Sequence, residues 1–61
     1  MTGLKELRLK QGMTQTDVAI AVGCSLASYR MWELGVTTPS SENYDRLKTV
    51  LNIEQEEGET E

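Results

Sequence analysis

The chain has one cysteine and no histidine, and these two shortages exclude several kinds of site. Cys24 has no second cysteine with which to form an internal disulfide. A zinc site built from Cys and His lacks its ligands, so we expect no metal and no cofactor. Cys24 is better explained as a small buried hydrophobic residue than as a reactive thiol.

Long apolar runs are also missing. No segment approaches the roughly 20 apolar residues that a membrane-spanning helix needs, and no charged and then apolar leader opens the chain. We therefore expect a cytoplasmic protein with no membrane partner. A chain of 61 residues forms at most one domain. Since so small a domain buries only about 60% of its unfolded surface, an economical all-α fold suits it.

The sequence shows no pattern typical of catalysis. Carboxylates are plentiful, but no nucleophile stands beside a base that could activate it. There is no phosphate-binding glycine loop and no internal repeat. The carboxylates are adequately explained as solvated groups, so we do not expect an enzyme.

The net charge of −4 argues against nucleic-acid binding at first sight, because such proteins usually carry a basic face. The charge is unevenly placed, however. Residues 1–53 carry six basic and five acidic groups, whereas residues 54–61 add five glutamates. An acidic stretch interrupted by glycine buries too little surface to become ordered. We predict a folded domain over residues 1–53 and an acidic disordered tail over residues 54–61.

The segment from Thr14 to Gly35 predicts two short helices joined by a tight turn. Thr14 and Asp17 have the spacing of a capping box, so the first of these helices should begin at Gln15, and Gly23 should end it in the left-handed conformation. Its inward stripe should contain Val18, Ala19 and Val22, with Ala21 as a small filler beside it. A serine at position 25 then caps a second helix that turns the side chains of residues 29 and 32 inward. Two helices joined by a short glycine-containing turn are typical of a helix-turn-helix.

Two more helices should flank this pair. The first spans residues 4–11, with Leu4 and Leu7 facing inward and Leu9 as a further candidate. The last spans residues 41–51 and should cover the motif with its inward side chains; they are Tyr44, Leu47 and Leu51. Asn52 should end this helix in the left-handed conformation, and Ile53 should fold back onto it.

From about residue 4 to residue 53 the chain resembles the phage repressor and Cro-like (Xre-like) DNA-binding domains. The matching residues are Leu7-Arg8, Gly12-Met13-Thr14-Gln15, Val18-Ala19, Val22-Gly23, Trp32-Glu33, Gly35 and Pro39-Ser40. The resemblance implies a compact four-helix, lambda-repressor-like domain. These relatives normally continue into a fifth helix, which we expect to be absent here because no apolar residue follows position 53.

The resemblance also implies contacts with DNA phosphates. Gln15 matches a glutamine that clamps the DNA backbone, at a helix start where free amides already favour an anion; the alternative is a solvated residue. An arginine at the position of Arg8 pairs with the glutamate at Glu33 in such domains and also touches a phosphate, although a purely structural pair is the safer interpretation. The full expected set of phosphate contacts is Thr14, Gln15, Arg8, Ser28, Thr37 and Thr38.

By the register of the family, the residues of the third helix that reach base edges are Leu26, Ala27, Arg30 and Met31. Arg30 is the one suited to bidentate reading of a guanine, worth about 1–3 kcal/mol of discrimination. The other three are apolar and can only contact thymine methyl groups. This face is less polar than is common among relatives, and the loop after it has hydroxyls where relatives often have lysine or arginine, so one copy should bind DNA weakly.

Two functions remain open. The first is a transcriptional regulator that binds double-stranded DNA, as a small phage-type or bacterial repressor or Cro-like switch, with a possible homodimer on a pseudo-palindromic operator. The second is a helix-turn-helix scaffold used to bind a protein partner, as an anti-repressor or accessory factor, through Leu26, Met31 and Leu34.

Overall fold

A computed structural model describes residues 3–53 of the chain. These residues form four helices and no strand: α1 (Leu4–Lys10), α2 (Gln15–Val22), α3 (Leu26–Leu34) and α4 (Ser41–Leu51). The all-α, four-helix prediction is confirmed for this part of the chain. The predicted acidic tail and the expected absence of a fifth helix both concern residues outside the described ones.

The starts of α2, α3 and α4 follow from local side-chain caps. The Asp17 amide donates to Thr14 Oγ1 at 3.0 Å and the Thr14 amide donates to the Asp17 carboxylate at 2.9 Å, so the predicted capping box is confirmed. Ser25 and Ser40 cap α3 and α4 in the same manner, each accepting from the amide three residues on. These caps satisfy amides that have no partner inside the helix, which is why α2, α3 and α4 begin where they do. α1 has no side-chain cap and begins after Gly3.

The turn between α2 and α3 depends on Gly23. Its φ of 88° lies in the left-handed region, which a side chain disfavours, and its amide donates to the Ala19 carbonyl at 2.9 Å. At the end of α4, Asn52 takes the same conformation at φ 58°, and the Ile53 amide donates back to the Lys48 carbonyl. Both predicted helix ends are therefore confirmed.

The core lies between α2 and the helices on either side of it. α2 packs against both α3 and α4, and α1 packs against α3. The rings of Tyr29 and Trp32 meet edge to face, with centroids 6.1 Å apart. The buried apolar side chains are Leu4, Val18, Ala19, Val22, Tyr29, Trp32, Leu47 and Leu51.

Two of the expected inward positions are wrong, and two more, Leu7 and Tyr44, are only half-buried. Leu9 is 56% exposed, because the inward stripe of α1 continues from Leu4 through Arg8 and leaves residue 9 on the outer side. Ala21 is exposed and lines an open groove of about 340 Å³ between α2 and α4. Tyr44 is half-buried, whereas Leu47 and Leu51 are fully buried. α1 also ends one residue earlier than predicted, with Gln11 as its C-cap.

Candidate nucleic-acid interface

A buried carboxylate connects the first three helices. Glu33, near the end of α3, has a side chain that is 7% exposed and accepts three hydrogen bonds. Arg8 Nε of α1 and the Tyr29 hydroxyl each donate to Oε2 at 2.6 Å. Gln15 Nε2, from the first residue of α2, donates to Oε1 at 2.9 Å. We call these four residues the Glu33 cluster.

The charges of the Glu33 cluster stabilise one another. Burial pushes the pKa of Glu33 upward, but the hydrogen bonds from Arg8, Tyr29 and Gln15 outweigh that effect and leave the pKa below its usual range. The hydrogen bond to Glu33 raises the pKa of Arg8. Burial, with the adjacent carboxylate, raises the pKa of Tyr29 well above its usual value. The cluster therefore holds a carboxylate, a guanidinium and a neutral phenol at neutral pH.

The predicted pairing of Arg8 with Glu33 is confirmed. Arg8 also donates from Nη1 to the Met13 carbonyl at 3.0 Å, which holds the turn between α1 and α2. Its side chain is only 9% exposed, so most of the guanidinium faces protein. Removing one partner of such a buried pair typically costs about 3–5 kcal/mol, because the other charge is left unpaired. The expected phosphate contact of Arg8 stays a prediction.

Gln15 and Thr14 stand at the N-terminus of α2, where backbone amides favour an anion. Gln15 is half-buried and is not a solvated residue, because its amide group is bound to Glu33. The Thr14 hydroxyl oxygen accepts the capping bond from Asp17, which leaves its own proton available to donate. Phosphate contacts by both residues remain predictions.

The four expected base-reading residues share the exposed side of α3. Leu26 is 37% and Met31 is 41% exposed, and Ala27 and Arg30 are exposed as well. The opposite side of the helix holds the buried rings of residues 29 and 32. The predicted register of α3 is therefore confirmed, whereas contact with bases remains a prediction.

The other expected phosphate contacts lie at the two ends of α3. Ser28 is half-buried, and its hydroxyl oxygen accepts from the Ser25 hydroxyl at 3.0 Å. Thr37 and Thr38 are exposed in the loop that joins α3 to α4. Ser28 thus lies in the first turn of α3, and Thr37 and Thr38 lie in the loop after it. Contact of these hydroxyls with phosphates remains a prediction.

The described basic residues divide into paired and unpaired groups. Arg8, Arg46 and Lys48 each form an ion pair with a carboxylate. Within residues 3–53 no ion pair involves Lys5, Lys10 or Arg30, and all three side chains are exposed. Arg30 alone among these three belongs to α3, and its expected role in reading a base remains a prediction.

Two contacts of the Glu33 cluster are absent from the expectations drawn from the sequence. Tyr29 was expected only as a core ring, although its spacing of four residues from Glu33 places both side chains on one helix face and is a usable signal. The bond between Gln15 and Glu33 joins residues 18 apart in the chain. No local pattern indicates it, because it depends on how α2 docks against α3.

The helix pair, its glycine turn and the exposed face of α3 together define a helix-turn-helix domain. A family model described as "Helix-turn-helix" matches residues 4–57. The chain belongs to this family of Cro/C1-type, Xre-like proteins, whose members bind DNA and are typically transcriptional regulators. No curated protein and no solved structure matches the chain. No helix within the described residues is long and apolar enough to cross a membrane.

Proposed function

We propose that the protein is a sequence-specific transcriptional regulator, a small repressor or Cro-like switch of phage or bacterial type that acts in the cytoplasm. α3 enters the major groove of double-stranded DNA with its exposed face toward the bases. The observation that carries this proposal is the position of Arg30, an exposed arginine with no ion pair in the described region, on the face of α3 opposite the core.

Base reading divides unequally among the four exposed residues of α3. Arg30 can donate two parallel hydrogen bonds to O6 and N7 of one guanine, which no other base pair offers in that position. Leu26, Ala27 and Met31 contact thymine methyl groups and contribute shape rather than hydrogen bonding. A site of high specificity therefore needs more than one copy of the domain.

Backbone contacts fix the position of α3 in the groove. Gln15 and Thr14 bind one phosphate from the N-terminus of α2, and hydroxyls at the ends of α3 bind others; the complete set is Arg8, Thr14, Gln15, Ser28, Thr37 and Thr38. Two copies on a pseudo-palindromic operator would place their α3 helices one turn of DNA apart, about 34–36 Å. Bound in this way across a promoter, the protein represses by excluding polymerase.

A second function, binding of another regulator, is favoured by the exposed apolar side chains of α3. Leu34 is 77% exposed at its C-terminus, in addition to the partly exposed Leu26 and Met31. Apolar groups left in contact with water are typical of protein-interaction surfaces when they are contiguous. In this alternative the protein is an anti-repressor or accessory factor.

Enrichment of a random pool of duplex DNA by the purified protein separates these functions. We expect a symmetric motif with one guanine in each half-site. Arg30→Ala should lose preference at that guanine, while Gln15→Ala should weaken binding to all sequences alike. Lys10→Ala is the matched control for charge, because it also removes an exposed, unpaired cation but lies on α1. It should leave the motif unchanged.

Absence of enrichment would contradict the regulator. This result counts when the protein concentration exceeds the range of ordinary nonspecific binding, roughly 10⁻⁴–10⁻⁶ M in Kd. An enriched motif that survives Arg30→Ala unchanged would contradict the assigned role of Arg30. Loss of binding to a protein partner on Leu34→Ser, with no DNA motif, would favour the accessory factor.

A further inference from the structure

The carboxylate of Glu33 determines which way the amide of Gln15 points. An ionised carboxylate has no hydrogen to donate and only accepts. The group facing it at 2.9 Å must therefore be the NH₂ of Gln15 and not its carbonyl oxygen. One of the two N–H bonds of that NH₂ is directed at Glu33, and the second remains available.

We infer that Glu33 is a positioning residue for DNA binding, which holds the Gln15 amide so that its second N–H donates to a DNA phosphate. The inference rests on the proposed function, since it assigns a cause to one contact of the DNA interface. Glu33 itself does not touch DNA in this arrangement, because its side chain is 7% exposed.

Glu33 is suited to this task because its own position is fixed. Arg8 and Tyr29 each donate to Oε2 at 2.6 Å, which leaves Oε1 for Gln15. A glutamine held before binding loses less side-chain freedom when it meets the phosphate than a solvated one does. Such preorganisation is worth about three- to tenfold in affinity.

The cluster also solves an electrostatic problem. The Glu33 carboxylate would be separated from the phosphate only by the side chain of Gln15, and two negative charges that close repel each other. The amide of Gln15 is neutral and cannot offset this repulsion. The guanidinium of Arg8 binds the same carboxylate, so the pair carries no net charge. Glu33 can therefore orient Gln15 without opposing the anion that Gln15 binds.

Two double variants test whether an acceptor oxygen at residue 33 is needed for Gln15 to contribute to DNA binding. Arg8→Met with Glu33→Gln keeps an amide oxygen at residue 33, whereas Arg8→Met with Glu33→Met removes it. Both lack the buried charge pair, so neither leaves an unpaired ion in the core. Circular dichroism and a thermal melt establish that each is folded.

Gln15→Ala is then added to each double variant, and affinity for the enriched duplex is measured by fluorescence anisotropy. It should weaken binding about three- to tenfold in the variant that keeps the oxygen and less than twofold in the variant that lacks it. Gln11→Ala is the matched control, because the Gln11 amide donates to the Leu51 carbonyl at 3.5 Å and lies outside the cluster. Gln11→Ala should leave the affinity for DNA unchanged in both double variants.

Equal losses from Gln15→Ala in the two double variants would overturn the inference. The inference would also fail, with the proposed function intact, if the wild-type protein binds DNA and Gln15→Ala has no effect on it. A wild-type protein that binds no DNA would overturn both.

A measurement on the wild-type protein tests the same point without relying on the stability of a variant. The two side-chain amide protons of Gln15 give separate NMR signals. On titration with the duplex, we expect the proton directed at Glu33 to keep its chemical shift and the other to move. Movement of neither, while backbone amides in the first turn of α2 do respond, would overturn the inference.

Discussion

Replacing Tyr29 with phenylalanine removes one hydroxyl group and leaves the buried ring in place. Tyr29 is 0% exposed, and its hydroxyl donates to Glu33 at 2.6 Å. A hydrogen bond to a charged group contributes about 1.5–3 kcal/mol to stability. Because Glu33 keeps its bonds from Arg8 and Gln15, we expect the lower part of this range, about 1.5–2 kcal/mol. For a domain of this size that corresponds to a fall in Tm of roughly 6–16 °C.

The pH dependence of the free energy of unfolding is the control for Tyr29→Phe. The pKa of Tyr29 is raised in the folded protein, so the phenol ionises first in the unfolded state. The contribution of Tyr29 is therefore complete below about pH 10 and is lost above it, by up to about 1.4 kcal/mol per pH unit. Tyr29→Phe should lack this alkaline loss.

The free energy of unfolding at acid pH is a second control for Tyr29→Phe. The pKa of Glu33 is lowered on folding, so its contribution is complete above its unfolded pKa of about 4.3 and falls as the pH drops through the folded value. Once Glu33 is protonated, the bond from Tyr29 is an ordinary neutral one worth about 0.5–1.5 kcal/mol, so the difference in free energy of unfolding between wild type and variant should become smaller. Denaturant unfolding followed by circular dichroism measures both arms. Melts within about 2 °C of each other at neutral pH, with parallel pH curves, would refute the role assigned to this hydroxyl.

Three further predictions concern charge and backbone. Within residues 3–53, counterion release is limited to Arg8, which is assigned to a phosphate, and to the three exposed cations without an ion pair, which are Lys5, Lys10 and Arg30. A plot of log K against log [salt] should therefore have a slope no steeper than about −3.6 per protomer; a slope of −5 would show contacts beyond these. Deleting residues 54–61 removes five negative charges and should strengthen nonspecific binding at low salt, whereas unchanged or weaker binding would exclude repulsion by this segment. Gly23→Ala should cost about 1–2 kcal/mol of unfolding free energy through backbone strain at φ 88°, and a denaturation midpoint equal to that of wild type would contradict this.

Local chemistry explains why the helix boundaries could be predicted. The caps at Thr14, Ser25 and Ser40 each join atoms only three residues apart, so the sequence contains both partners within one short window. Gly23 and Asn52 likewise end their helices through a conformation that few residue types adopt readily.

The sequence predictions are wrong or incomplete at residues whose burial or orientation depends on how the helices pack against one another. Leu9 has the apolar character of an inward residue, but Arg8 occupies the inward place because its partner is Glu33 on another helix. The orientation of Gln15 depends on the same carboxylate. Hydrophobic pattern does not reveal a buried polar cluster, because its members are paired only after the helices have docked.

In the proposed complex α3 lies in the major groove, and Arg30 reads a guanine there. Methylation interference on the enriched duplex tests this most directly, because methylation of guanine N7 blocks a major-groove acceptor that arginine uses. We predict interference at one guanine in each half-site with the wild-type protein, and its loss with Arg30→Ala. Absence of any guanine N7 interference, or equal interference with both proteins, would contradict the account.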